Sequence, residues 1–110
     1  MDERSRRIGV NEAVARAVNE RIEVLAQGSG TKAPRLELVC ECGDATCVEQ
    51  LVMTQPEYEK IRADAHLFAV YPGHASPNLE DVVARGDGYE IVRKRSGEPA
   101  MIAEQTDPRA

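Results

Sequence analysis

The sequence predicts an α+β fold, a small mixed sheet with two helices. Three observations predict it. Short segments of alternating apolar and polar residues, bounded by Gly and Pro turns, recur from residue 36 onward at strand length. Two other stretches carry helix signals, a 3.6-residue apolar period before residue 27 and a capping-box spacing at Thr54 and Glu57. All three cysteines fall in one octet, Cys40-Glu41-Cys42-Gly43-Asp44-Ala45-Thr46-Cys47, which can staple so small a fold.

Taken in order, residues 1–9 are highly charged and are expected to be loose. Asn11 reads as a helix N-cap, with Glu12 well placed near a helix start. Val14, Val18, Ile22 and Leu25 then fall at i, i+4, i+8 and i+11, bordered by Ala17 and Arg21, while Arg16, Asn19, Glu20 and Glu23 occupy other faces. The pattern is an amphipathic helix over residues 11–26. The stripe is expected to fold back on the chain's own core. Its alternative use is contact with another protein, or self-association, through Val14, Val18, Ile22 and Leu25. Gly28 suits the end of the helix, and residues 28–34, Gly-Ser-Gly-Thr-Lys-Ala-Pro, read as a flexible linker. The organisation is thus a helix and tail over 1–27, the linker, and an α+β domain over 35–110.

Leu36-Glu37-Leu38-Val39-Cys40-Glu41-Cys42 alternates like a strand, so Leu36, Leu38, Cys40 and Cys42 share one face. Residues 48–53 form the returning strand of a hairpin with the cysteine loop at its tip. Thr54, Pro56 and Glu57 open a helix over 55–64 with Tyr58, Ile61 and Ala65 on its apolar side. The run 67–71 is a strand, expected to lie parallel to 36–40 and ending at Pro72-Gly73-His74. Residues 79–85 fit a short helix or a strand equally well. Gly86-Asp87-Gly88 is a turn, 89–95 is a strand, and 100–104 is expected to return as an edge strand before a frayed tail over 105–110.

The cysteine cluster carries the chemistry. Three thiols within eight residues supply soft ligands for a tetrahedral ion, most simply zinc, and Gly43-Asp44 can turn the chain to bring Cys47 beside Cys40 and Cys42. The competing readings are a set of inert buried thiols, or one disulfide with a thiol left over. A bridge between residues two apart on a strand is badly oriented, and an odd cysteine count argues against a disulfide framework. The fourth metal ligand is expected to be His74, presented by the stiff Pro72-Gly73 turn. His66, between a helix and a strand, is the competitor.

Composition narrows the function classes. The chain has 110 residues, no Trp, one Phe and three Tyr, so its core must come from Val, Leu, Ile and Ala. A formal charge of −5 gives no electrostatic reason to expect nucleic acid or an anionic membrane surface as a partner. Within Arg93-Lys94-Arg95 a solvated strand face outweighs phosphate contact. No stretch has membrane-spanning length and no apolar signal core follows the N-terminus, which points to a soluble protein of a reducing cytoplasm.

Asn19-Glu20-Arg21-Ile22, Cys40-Glu41-Cys42-Gly43-x3-Cys47, Thr54-x2-Glu57-Tyr58-x2-Ile61-Arg62, Pro72-Gly73-His74, Val82-Val83 and Thr106-Asp107-Pro108-Arg109 occur in an order that resembles a family of small, mostly uncharacterised actinobacterial proteins. The resemblance covers about residues 11–107 and includes the closing Thr106-Asp107-Pro108-Arg109. It implies that Cys40, Cys42, Cys47 and His74 form one recurring constellation, that the position of His66 is not regularly histidine, and no particular activity. The functional expectation is a small zinc-binding protein with a structural site, acting without catalysis as an adaptor or regulator through protein contacts. The alternatives are a zinc-dependent hydrolase or deaminase, with an open coordination position and Glu41 or Asp44 as base, and a redox or metal sensor.

Overall fold

The computed structural model describes residues 2–28 and 35–109. Apart from Gly28, the expected linker lies outside the described residues. The elements are α1 (Glu3–Gly28), β1 (Leu36–Val39), β2 (Gln50–Met53), α2 (Gln55–Arg62), β3 (Leu67–Val70), β4 (Glu80–Gly86), β5 (Tyr89–Lys94) and α3 (Glu98–Gln105). The α+β class holds, with three helices rather than two.

The β1–β2 hairpin pairs as the alternation predicts, from Leu36 opposite Met53 to Val39 opposite Gln50, with the cysteines in the connecting loop. The Thr54 capping box is also formed: the Glu57 amide donates to Thr54 Oγ1 and the Thr54 amide to Glu57 Oε1. Residues 79–85, ambiguous in sequence, are mostly the strand β4, which pairs with β5 through the Gly86-Asp87-Gly88 turn.

The single mixed sheet resolves into two antiparallel sheets, β1–β2 and β3–β5–β4. The expected parallel pairing of 36–40 with 67–71 does not form. Its place on β1 is taken by a side chain: Asn19 of α1 donates to Val39 O and accepts from Val39 N, as a neighbouring strand would. Just beyond β1, Glu41 N donates to Ala69 O and Tyr71 N to Cys40 Sγ, so the two segments run in opposite senses where they touch.

Residues 100–104 are helical, not an edge strand. Gly97 turns the chain with φ +98, Pro99 occupies the first helical turn where its missing N–H costs nothing, and Ala100 and Ala103 face inward. Nor are residues 105–109, the described part of the tail, frayed. Asp107 pairs with Arg62, and Arg109 reaches Glu20, Glu23 and Glu59 at 2.7–2.8 Å.

The largest correction concerns α1. It begins at Glu3, capped by Asp2 Oδ1 accepting from Ser5 N, so the charged residues 3–9 are helix rather than loose chain. Its buried face is polar: Glu12, Arg16 and Asn19 are wholly inaccessible and Glu23 nearly so, while Val14, Val18 and Leu25 are 60%, 43% and 58% exposed. Of the predicted stripe only Ile22 turns inward, onto the cluster of Leu36, Leu38, Leu51, Met53, Tyr58 and Ile61. The inversion is possible because each buried group has partners. Arg16 donates to Ala65 O and Ala103 O, both at 2.7 Å, and lies over the Phe68 ring at 4.3 Å. Glu12 pairs with Lys94, which also lies 2.7 Å from Glu80. The match is not complete, since Glu12 Oε2, Arg16 Nε and Glu23 Oε2 are buried without a hydrogen bond, but these directional contacts specify one docking of the helix where apolar contacts would leave it adaptable.

Candidate metal centre

β1 delivers Cys40 and Cys42 to the end of the hairpin, both buried, because residues two apart on an extended chain share a face. The loop then tightens: Asp44 Oδ1 accepts from Thr46 N and Thr46 Oγ1, and Cys47 N donates to Asp44 O at 3.1 Å. Cys47 is thereby turned back towards the first two sulfurs. From the other side the Tyr71–His74 turn closes with His74 N donating to Tyr71 O at 2.9 Å and Gly73 at φ +87. The His74 imidazole lies against the Tyr71 ring, centroids 5.3 Å apart.

Ligand atoms of Cys40, Cys42, Cys47 and His74 all lie within 4.8 Å of one another. Nδ1 of His74 is 3.7 Å from Cys40 Sγ and 3.5 Å from Cys47 Sγ. A tetrahedral zinc ion with ordinary Zn–S and Zn–N bonds has N···S edges of about 3.6 Å. The cluster therefore has the dimensions of a Cys3His site and can hold a metal ion. Burial pushes the Cys40 and Cys42 thiols upward, and their mutual proximity adds to this for Cys40. A bound cation reverses that logic, because a coordinating thiol is deprotonated outright.

His66 lies elsewhere. Its Nε2 is 2.7 Å from Glu104 Oε1 and its Nδ1 3.7 Å from Asp64, a polar cluster near the surface. Glu41, between two of the cysteines, also points away from the sulfurs. It is fully buried, accepting from Asn19 Nδ2 at 2.8 Å, Tyr58 OH at 3.1 Å and Ala69 N at 2.9 Å. Burial raises its pKa and those three donors pull against the rise. Its place is in the packing of α1 and α2 on the hairpin, so it is no base for metal-bound water. Asp44 does face the site's open side, where a groove of about 440 Å³ runs past Arg4, Asp44, His74 and Ser76.

The cysteine loop is held from behind by α1. Asn11 Nδ2 donates to Gly43 O at 2.9 Å, and Ile8 packs so closely on Gly43 that a Cβ there would lie 2.2 Å from Ile8 Cγ2. Asn11, an expected N-cap, instead lies in the body of α1 and supports the cysteine loop. The only available signal was an Asn in what is now the body of a helix, where a short polar side chain costs stability unless it finds a partner. The basic run is absorbed into structure too: Arg93 pairs with Asp64, Lys94 with Glu12 and Glu80, and Arg95 with Asp81.

Among the described residues no helix is long and apolar enough to cross a membrane. Comparison with protein-family models, with curated proteins and with solved structures found no match for the chain.

Proposed function

We propose that Cys40, Cys42, Cys47 and His74 bind one zinc ion as a structural staple, and that the protein works without catalysis, as an adaptor or regulator that acts through protein contacts. The observation that carries the metal reading is the convergence of four ligand atoms with N···S separations matching the edges of a zinc tetrahedron. Four protein ligands complete the shell and leave no position for a reacting water. The adaptor reading is supported by the apolar outer face of α1. Elemental analysis of protein purified without added metal should give one zinc per chain. Iron–sulfur absorbance, or no metal, would remove the site.

A second reading, a zinc-dependent hydrolase or deaminase, draws on the groove beside His74, with Asp44 as its base. It requires His74 to leave the metal so that water can enter. Cobalt substitution separates the two. A closed Cys3His site gives tetrahedral absorption that does not change with pH, whereas an open site shows the titration of a bound water.

A further inference from the structure

The outer face of α1 carries five of the ten exposed large apolar side chains among the described residues. Val10, Val14, Val18, Val24 and Leu25 are 43–60% exposed, with exposed Ala17 between them and Arg21 as the one charge inside the patch. This surface spans the molecule: a 26-residue helix is about 39 Å long, and the longest dimension of the protein is 44 Å. We infer that this face is covered by the same face of a second copy, with the two α1 helices antiparallel about a two-fold axis between Ala17 and Val18. The inference rests on the reading of the protein as one that works by protein contacts, and not on the metal.

Spacing is the first argument. A two-fold axis at that point sets Val10 opposite Leu25, Val14 opposite Arg21, and Ala17 opposite Val18. Val10, Val14, Ala17, Val18, Arg21 and Leu25 therefore map onto one another, as an isologous interface requires, while Val24 lies at the rim opposite Asn11. The small Ala17 at the crossing point lets the backbones approach. Area is the second. The exposed halves of five aliphatic side chains amount to roughly 400 Å² per copy. With Ala17 and the aliphatic stems of Arg7 and Arg21 the face comes to roughly 600 Å² per copy, the lower end of a specific interface. Charge fixes the orientation. A parallel pair would set Arg21 against Arg21 and crowd Arg4, Arg6 and Arg7 of both chains together. The antiparallel pair separates these and sets the helix dipoles head to tail. A net charge of −5 argues against an anionic membrane as the occupant.

Sedimentation equilibrium on the full chain tests this. The wild type should behave as a dimer of 12.1-kDa chains at concentrations up to about 0.1 mM, a range that interfaces of this size fill. Val18→Glu places two carboxylates at the axis and should weaken the dimer roughly a hundredfold. Val83→Glu, at another exposed valine on β4, should leave it intact. Val14→Lys should weaken the dimer far more than Val14→Glu, because Val14 faces Arg21 of the second copy. Circular dichroism confirms that each variant is folded. A monomer throughout that range overturns the proposal. A monomer that co-floats with anionic vesicles overturns it in favour of a lipid surface. Equal losses for Lys and Glu at position 14 overturn the antiparallel register. Zinc measured on the same samples keeps the readings apart: a zinc-free dimer sinks only the metal site, and a zinc-loaded monomer sinks only the dimer.

Discussion

At the residue scale the two histidines are a controlled comparison. His74 Nδ1 stands among three sulfurs, whereas His66 is occupied by Glu104 and Asp64 at the surface. His74→Ala should lower zinc affinity by at least about tenfold, as loss of a direct ligand exceeds the 10–100-fold typical of an outer-shell loss. His66→Ala should change it little, since exposed ion pairs contribute under about 1 kcal/mol. Competition with a chromogenic chelator measures both. Loss of zinc by the His66 variant alone would overturn the ligand assignment; retention by both would leave a carboxylate or water as fourth ligand. Gly43 offers a second test. Its φ is unremarkable, so the argument is space alone: an added Cβ meets Ile8 Cγ2 at 2.2 Å and the Ile8 Cα at 3.2 Å. Gly43→Ala should cost about 1–3 kcal/mol as overpacking, read from urea unfolding. Ile8→Ala should recover part of that, while two independent, additive losses would place the strain elsewhere.

At the scale of the element, α1 is the test case, because its buried face carries ionisable groups. Burial raises Glu12 to about 9, with the facing Glu80 carboxyl adding to the rise and Lys94 opposing it. Glu23 is raised to about 7 by burial and by Glu59, against the pull of Arg109. The sign follows from linkage. A carboxyl whose folded pKa lies above its unfolded value holds a proton that the unfolded chain has released, so its contribution is complete below pH ~4.5 and is lost as pH rises through the folded value. Stability should therefore fall between about pH 5 and 9, by up to about 1.4 kcal/mol per pH unit for each proton involved. Glu12→Gln keeps the neutral form and should remove the part of the slope that runs to pH ~9. Urea midpoints of wild type and variant across that range check this, and parallel curves would mean that Glu12 is ionised in the fold. The same helix shows what the sequence could and could not disclose. Periodicity located it, since Val14, Val18 and Leu25 do share a side, with Ile22 at its inner border. It could not say which side is buried, because the usual inference equates apolar with inside. Here the inside is set by partners far along the chain, such as Lys94 for Glu12 and the Ala103 carbonyl for Arg16. The cysteine cluster was legible because its ligands are local and joined by turns whose residues announce them. The parallel pairing failed because nothing local predicts that Asn19 will occupy the edge of β1. In α3, Pro99 and two alanines were a readable helix start that the β-like Met101-Ile102 pair obscured.

On the scale of the whole molecule, the cysteine–histidine cluster and α1 form one mechanical unit. The cysteine loop touches α1 through Ile8 on Gly43, Asn11 on the Gly43 carbonyl, and Asn19 on both Val39 and Glu41. The radius of gyration, 13.2 Å, matches the ~13 Å of a compact chain of this length, so α1 is part of the body and not an arm. Among the described residues sixteen buried apolar side chains, with Phe68 the only Phe, form a core small enough for a staple to matter. Binding of an ion to a site that the unfolded chain lacks adds its free energy directly to folding. Removing the metal should therefore loosen more than the loop. Without a cation the three thiols have no reason to converge, Gly43 shifts, and Ile8 and Asn11 lose their seat. The amides of α1 near Asn11 and Asn19 should then exchange faster, along with those of β1. Those in the middle of β5, paired on both sides by β3 and β4, should be slowest to respond. Hydrogen exchange before and after complete chelation, read segment by segment, measures this. Protection lost only in residues 40–47 would mean that the helix docks independently of the metal. Unchanged protection everywhere would mean that the site contributes nothing to the fold.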